Sequence, residues 1–453
     1  MEWEAIQNRL NMLLEKGRHG ELRGAMMMLN EVDIAQYMET LDKEKLLLVF
    51  RILPKDISAD VFSYMSDEQK QTLIESIGDQ EIRSLIDDMF LDDAVDFLEE
   101  MPSSVVRRVL QSTDTEKRNL INQFLRYPDN SAGSLMTIEY LEFQSSVTVR
   151  GAMDIIRREG LDKETIYTLY IIDATHHLIG TLALRKMILA SEDTVLSNIM
   201  DRNPVSVHTL DDQEKVAEVV RHYDLMAIPV VDNEDRLVGI ITADDIMDVI
   251  EEETTEDFEK MAALTPSDDE YLKTSPFKLA LNRIPWLIVM AVIAIFTGMI
   301  ITHYEDVLSS NAAVGIILTA CIPMLMDTGG NCGAQSSTLI IRGLSLGQIT
   351  LKDFFKALWK EFRVALIVGA VLFAFTLFRV KLVNGAEWGV AFVVAAALFC
   401  TIVLAKALGC AMPMLAKRMG LDPALMASPM ITTVVDMSSL FIYFTIAKAV
   451  LKI

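Results

Sequence analysis

The sequence predicts a multidomain membrane protein: an α-helical N-terminal solenoid, an α+β tandem duplication, an acidic connecting helix and a transmembrane domain of five helices. Three observations predict it. The 453-residue chain is 51% hydrophobic with a mean hydropathy of +0.30, yet 23% of it is charged, so the average conceals two unlike halves. From Pro266 onward there are 15 basic and 11 acidic residues; up to Thr265 there are 26 basic and 53 acidic, so the first half carries the whole surplus behind the net charge of −23. Finally, five apolar stretches of about twenty residues, the length that crosses a bilayer, all lie in the second half.

The acidic surplus excludes a nucleic-acid binder, which needs a basic surface. It repels itself unless counter-ions are present, and divalent cations are the natural candidates. Cys321, Cys332, Cys400 and Cys410 all fall in the apolar half and form no Cys-x-x-Cys pair, so they read as core residues rather than a zinc or redox site. The opening Met1-Glu-Trp-Glu is acidic, so no cleavable signal peptide is expected.

Residues 1–130 read as an acidic helical domain. Apolar positions recur in helical period, as in Ile34, Tyr37, Met38 and Leu41, and Pro54, Pro102 and Pro128 punctuate short helices. Asp33-Ile-Ala-Gln-Tyr-Met, Asp56-Ile-Ser-Ala-Asp-Val-Phe and Asp93-Ala-Val-Asp-Phe-Leu repeat irregularly, each with Asp as a cap or first-turn residue, which predicts a short right-handed solenoid. Asp92 and Asp96 share one helix face, as a repulsive pair awaiting neutralisation or as a plain solvated surface.

Residues 131–250 change pattern. Met136-Thr137 matches Met200 to Pro204, Thr165 to Asp173 matches Ala227 to Asp232, and Leu178-Ile-Gly-Thr-Leu matches Leu237-Val-Gly-Ile-Ile. This is a duplication of about sixty residues, each copy β-α-β-β-α. With Ile228-Pro-Val-Val-Asp and Gly239-Ile-Ile-Thr-Ala-Asp-Asp it resembles a tandem pair of CBS domains. That resemblance implies a pseudo-symmetric disk that binds adenine nucleotides such as ATP. Asp245 matches the acid that holds a ribose, and the first copy, with Lys186 in its Gly180-Thr-Leu-Ala-Leu-Arg-Lys phrase, lacks it. His176-His177 falls in a turn and reads as solvated.

Residues 243–262 form an amphipathic helix that leads into a connecting segment over 251–280. Ile246, Val249 and Ile250 make one stripe, and Asp245, Asp248, Glu252, Glu256 and Glu259 another. The stripe is either a linker surface or a gate that opens by repulsion and closes on bound ions; the charge of the first half favours the gate.

The transmembrane domain, 281–453, holds spans at about 284–303, 312–340, 361–380, 388–411 and 424–450. Most basic residues, including Arg342, Lys352, Lys356, Lys360, Arg363, Lys417 and Arg418, fall on the side of the soluble half, which predicts cytoplasmic N-terminal domains and an outside C-terminus. The second span is expected to break at Asp327-Thr-Gly-Gly-Asn331, where polar and glycine residues serve close packing, a wet path, or both. In the last span, Asp436 shares a helix face with Thr432 and Ser428. A carboxylate at this depth is either satisfied in a helix contact or faces an ion path. Asp436, Asp327 and a lone Lys406 are the mid-membrane charges, which favours a cation over an anion.

Thr328-Gly-Gly-Asn-x-Gly-x-Gln-Ser-x-Thr-Leu-Ile-Ile-Arg, with Asp422-Pro-Ala-Leu and Pro429-x-x-x-Thr-x-x-Asp436, resembles the MgtE family of magnesium channels and transporters along the whole chain. The resemblance implies a homodimer in the plasma membrane, a Mg2+ pore selected by paired Asp436, and Ser428, Thr432 and Asn331 at neighbouring pore positions. It also implies that cytosolic Mg2+ closes the pore through the matching acids Asp92, Asp96, Asp212, Glu214, Asp224, Asp245 and Asp248, joined by Glu252, Glu256 and Glu259 of the plug helix. The competing reading is a CBS-regulated secondary transporter of another divalent cation or small ion. No nucleophile–base pair or His-Glu-x-x-His site suggests an enzyme.

Overall fold

The computed structural model describes residues 2–267, 271–272, 274–309, 312–426 and 428–451; the side chains of Glu2, Asp56 and Ser428 lie outside that description. Two compact units follow one another, Met1–Ile250 and Glu251–Ile453.

The first unit opens with ten short helices: α1 (Glu2–Glu15), α2 (His19–Met26), α3 (Glu31–Glu39), α4 (Lys43–Ile52), α5 (Lys55–Ser63), α6 (Asp67–Ser76), α7 (Asp79–Asp88), α8 (Leu91–Glu99), α9 (Ser103–Ser112) and α10 (Thr115–Phe124). From α3 onward most pack on the helix two further along: α3 on α5, α5 on α7, α7 on α9, α4 on α6 and α8 on α10. This alternation is how a solenoid buries faces that no single short helix can bury alone. Tyr37, Phe62 and Phe97 are fully buried, with Phe62 edge-on to both Phe50 and Phe97. Asp33 and Asp93 sit in first turns, whereas the cap of α3 is Asn30, which accepts from the Val32 N–H at 3.1 Å. Pro54 and Pro102 occupy the cap positions of α5 and α9, where a missing N–H costs nothing.

After α11 (Ala132–Leu135) come two copies of one pattern. The first is β1 (Glu142–Gln144), α12 (Val149–Glu159), β2 (Thr168–Ile172), β3 (Leu178–Ala183) and α13 (Leu184–Ile188). The second is β4 (Val207–His208), α14 (Gln213–Tyr223), β5 (Ala227–Val231), β6 (Leu237–Thr242) and α15 (Ala243–Met261). In each sheet the first two strands are parallel and the last two antiparallel, with an irregularity at the same place, Ile171/Ile172 and Val230/Val231. The copies exchange their opening segments. Thr137, which opens the first, bridges Ile240 of the second, and Asp201, which opens the second, bridges Thr181 of the first. The glycine of each Leu-x-Gly phrase permits this. A Cβ on Gly180 would stand 2.6 Å from the Asp201 carbonyl, and one on Gly239 would stand 2.6 Å from Met136 Sδ and 2.9 Å from the Thr137 carbonyl. Helix α15 runs unbroken past Ile250, so the second copy has no separate last helix: it continues into the connecting helix.

The second unit contains α16 (Pro276–His303), α17 (Glu305–Ser309), α18 (Ala312–Ser345), α19 (Phe354–Val383), α20 (Trp388–Arg418) and α21 (Ser428–Leu451). Among the described residues, five helices are long and apolar enough to cross a membrane. Several extend one or two turns beyond the expected spans: α19 begins at Phe354 and α20 ends at Arg418. The expected break in the second span is absent, and α18 is helical throughout. Its glycines instead let neighbours approach: a Cβ on Gly329 would meet Thr401 of α20 at 2.6 Å, and one on Gly333 would meet Ile431 of α21 at 2.6 Å. Tight packing on two sides replaces the turn that the glycines suggested. Helix α16 buries no residue in its own unit and packs mainly against α21.

Gly180→Ala should destabilise the purified chain by about 1–3 kcal/mol, because the new methyl meets backbone that cannot yield. Gly24→Ala on α2, whose methyl enters open space, should be neutral or stabilising by about 0.4–1 kcal/mol. Thermal unfolding ranks the two; equal stability of both variants would refute the crowded crossing.

Candidate functional site

In the membrane unit, α18 and α21 run antiparallel in a ladder of contacts. The Ser337 hydroxyl donates to the Met426 carbonyl at 2.9 Å, Gly333 faces Ile431, Gly330 faces Thr432, Gly329 faces Val435, and the Tyr443 hydroxyl donates to the Leu318 carbonyl at 3.0 Å. The ladder sets Asp436 level with Thr328 and Asp327. Thr432 donates its hydroxyl to the Pro429 carbonyl at 3.0 Å, which leaves its oxygen lone pairs available. The Asp436 carboxylate forms no hydrogen bond or ion pair among the described residues, although Ser439 donates to its main-chain carbonyl at 2.9 Å. On α18, Asp327, Asn331 and Gln335 lie four residues apart and are exposed. A stripe of acid and amides cannot face hydrocarbon, because the bilayer core holds no water to satisfy it. The structure thus brings Asn331, Thr432 and Asp436 onto neighbouring helices; the Ser428 side chain lies outside the described residues.

Lys406 is not a lone charge. Its ammonium stands 3.6 Å from Glu361 Oε2 and donates to Ser336 Oγ at 3.1 Å, while Ser336 donates to Glu361 at 2.6 Å. Glu361 was concealed in the sequence by its place at the edge of an apolar stretch.

In the soluble unit, Asp92 and Asp96 of α8 meet Asp245 of α15. The apolar stripe of α15 docks Ile246 and Val249 in the same core as Leu91 and Val95, which carries Asp245 to α8; Ile250 is 38% exposed. Burial first, then the Asp245 carboxylate, pushes Asp92 well above the usual carboxylate range. Burial, then Glu99 and Asp245, brings Asp96 to about 7. Asp245 is pushed up to about 6 by burial, against the Thr242 hydroxyl that donates to it at 2.6 Å. Two members were not legible in the sequence: Asp93 on the same helix, and Glu164 from the loop before β2, raised to about 7 by burial and then by Asp245. The other acids go elsewhere. Asp212 caps α14 by accepting from the Glu214 N–H at 3.0 Å, and Asp224 ends the same helix with a left-handed φ of 52°. Asp248 follows Asp245 one turn along α15.

In the second unit, Lys260 bridges Glu256 and Asp422, at 2.7 Å from each. Burial, then the Asp422 carboxylate, raises Asp257 to about 6. Glu259 accepts from the Ser267 N–H at 2.9 Å, and Glu252 lies one helical turn before Glu256. Among the described residues no three acidic, cysteine or histidine side chains converge closely enough to hold an ion unaided. The donors present are carboxylates and hydroxyls, which suit a hard divalent cation that keeps part of its water.

Three family models match the chain: MgtE, described as a divalent cation transporter, over residues 322–446; the MgtE intracellular N domain over 29–130; and the CBS domain over 196–252. Curated relatives include the "Magnesium transporter MgtE" of Thermus thermophilus, 33% identical over 99% of both chains, and that of Bacillus subtilis, 31% identical over 99% of this chain and 98% of the relative. Among solved structures, the soluble part of a magnesium transporter aligns with 55% of this chain and 99% of its own, at a TM-score of 0.53 and 31% identity. The cytosolic domain of the Mg2+ channel MgtE in complex with ATP aligns with 54% and 99%, at 0.51 and 33%.

Because Asp96, Asp245 and Glu164 hold their protons to higher pH folded than unfolded, the fold binds the extra protons above about pH 4. Their contribution is fully present below that point and is lost as pH rises through 6 to 7. Without divalent ions, the unfolding temperature of the soluble unit should fall over this window. Asp92→Asn should raise it at pH 8 by several degrees, as about 1 kcal/mol does in a domain of this size, and change it less at pH 5. A flat pH profile in chelator would contradict the cluster.

Proposed function

The chain belongs to the MgtE family of magnesium transporters, and from that membership we propose that it works as a homodimer in the plasma membrane, moves Mg2+ along a path set by paired Asp436, and closes when cytosolic Mg2+ binds its acidic soluble surfaces. Five candidate spans, with the basic loops gathered on one side, support cytoplasmic N-terminal domains and an outside C-terminus.

The observation that carries this reading is the uncovered polar stripe Asp327–Asn331–Gln335 of α18, level with Asp436 and Thr432 on α21. One copy leaves these groups without cover inside a membrane; a second copy across a two-fold axis turns them toward each other around water. Mg2+ dehydrates reluctantly, so two facing carboxylates hold it through its water shell without a complete cage of protein ligands. Asp327 adds negative charge to the same level, and Ser428, four residues before Thr432 in the sequence, remains the further candidate for the lining on spacing alone.

The regulatory half of the reading rests on Asp92, Asp96 and Asp245. Their mutual repulsion is relieved by protons or by a bound cation, and at neutral pH Mg2+ is the available relief. Asp248, Glu252, Glu256 and Glu259 extend the acidic face along α15, and Asp212, Glu214 and Asp224 offer outlying sites at the two ends of α14. The CBS pair is a site for an adenine nucleotide, with Asp245 toward the ribose; the ATP-bound relative supports this. The protein is a transporter and not an enzyme on this reading. Coupled secondary transport of another divalent cation is the alternative, and flux measured against voltage separates the two.

Asp436→Ala should abolish Mg2+ uptake in a Mg2+-dependent growth assay while leaving expression intact; normal uptake would remove Asp436 from the path. Neutralising Asp92, Asp96, Asp245 and Asp248 together should leave flux high at millimolar cytosolic-side Mg2+, and closure at the parent concentration would refute the acidic gate.

A further inference from the structure

The Glu361–Ser336–Lys406 group lies outside the ion path, yet it places two full charges inside the membrane unit. Glu361 is 8% exposed, Lys406 5% and Ser336 fully buried. Ion pairs of this kind are expensive to bury and are not retained for stability alone, since apolar residues of equal volume serve stability as well or better. We propose that Glu361 and Lys406 are positioning residues that fix the roll of α18 about its own axis, and with it the direction of the polar stripe; this rests on the reading of that stripe as part of the ion path.

The geometry joins three helices at one residue. Ser336 of α18 donates to Glu361 of α19 at 2.6 Å and accepts from Lys406 of α20 at 3.1 Å. One residue on, Ser337 donates to the Met426 carbonyl ahead of α21 at 2.9 Å. Backbones touch at the same level: a Cβ on Gly409 of α20 would lie 2.3 Å from the Gly333 carbonyl. The methyl contacts around this crossing are non-directional and by themselves permit α18 a small roll. The serine hydroxyl, held between an ammonium and a carboxylate, is directional and does not. An α-helix turns about 100° per residue. Asp327, nine residues before Ser336, therefore lies on the opposite side of α18, and Asn331, five residues before it, lies about 140° away. Drawing Ser336 in toward α19 and α20 turns Asp327 and Asn331 out to the open face. Without the charges, Ser336 keeps no charge-assisted partner, and the roll of α18 rests on the Ser337 and Tyr443 bonds and the glycine contacts alone.

The test reads orientation directly. With the four native cysteines replaced by alanine, Asn331→Cys or Ala334→Cys is introduced and its rate of modification by a hydrophilic methanethiosulfonate is measured on full-length protein in liposomes. In the parent, position 331 reacts faster than the half-buried 334. Glu361→Gln or Lys406→Met should lower the 331-to-334 rate ratio by about fivefold, and the exchange Glu361→Lys with Lys406→Glu should bring it back. Where a single variant is not recovered as monodisperse protein, Ser336→Ala, which removes only the bridging hydroxyl, should lower the ratio in the same sense. An unchanged ratio in the folded variants, or an exchange that leaves it low, overturns the proposal. The ratio is read without Mg2+, so its failure is distinct from failure of Asp436→Ala to stop uptake.

Discussion

Hydrocarbon offers no hydrogen bond to a carboxylate, and the membrane half of this protein is organised by that constraint. Every acid, amide and ammonium buried there must find cover in protein or water. Two solutions appear side by side. Glu361 and Lys406 cover each other through Ser336, inside one bundle. Asp327, Asn331 and Gln335 are left exposed by that bundle and Asp436 half-buried, and on the proposed reading these are the groups that face water and a second copy. The glycines of α18 serve both: where Gly329 and Gly333 bring α20 and α21 close, the opposite surface of the same helix is free to be polar.

The soluble half meets the converse difficulty, with acids crowded where water is plentiful outside but scarce at the seam. Docking Ile246 and Val249 into the core forces Asp245 against Asp92 and Asp96. Apolar burial thus drives together what charge drives apart. On the proposed reading a bound cation decides between the two. A sensor built this way needs no elaborate cage. It needs only that the closed arrangement be favourable with the ion and unfavourable without it.

Much of this was legible in the sequence because it is local or periodic. The duplication showed itself in matched phrases, the spans in hydropathy, and Asp436 with Thr432 in four-residue spacing. Asp92, Asp96 and Asp245 were marked by family motifs, and their meeting follows from the stripe of α15. What stayed hidden depends on contacts distant in sequence. Glu164 joins the acidic group from a loop with no pattern of its own, and Glu361 neutralises Lys406 across two helices. The unbroken α18 was misjudged because Thr-Gly-Gly-Asn is turn chemistry in water. Between packed helices the same glycines lower the distance of approach instead, and the backbone has every reason to keep its internal hydrogen bonds.

The exchanged opening segments of the two CBS copies carry a last consequence. Thr137 completes the sheet of the second copy and Asp201 that of the first, so neither sheet has a finished edge without its neighbour. The pair is one cooperative folding body rather than two beads on a string. Damage to either copy removes the bridge that caps the edge of the other's sheet and leaves that edge open to mispairing. Any ligand of one copy would therefore tighten both, and Asp245, in the first turn of α15 directly beyond β6, shares the rigidity of the whole pair.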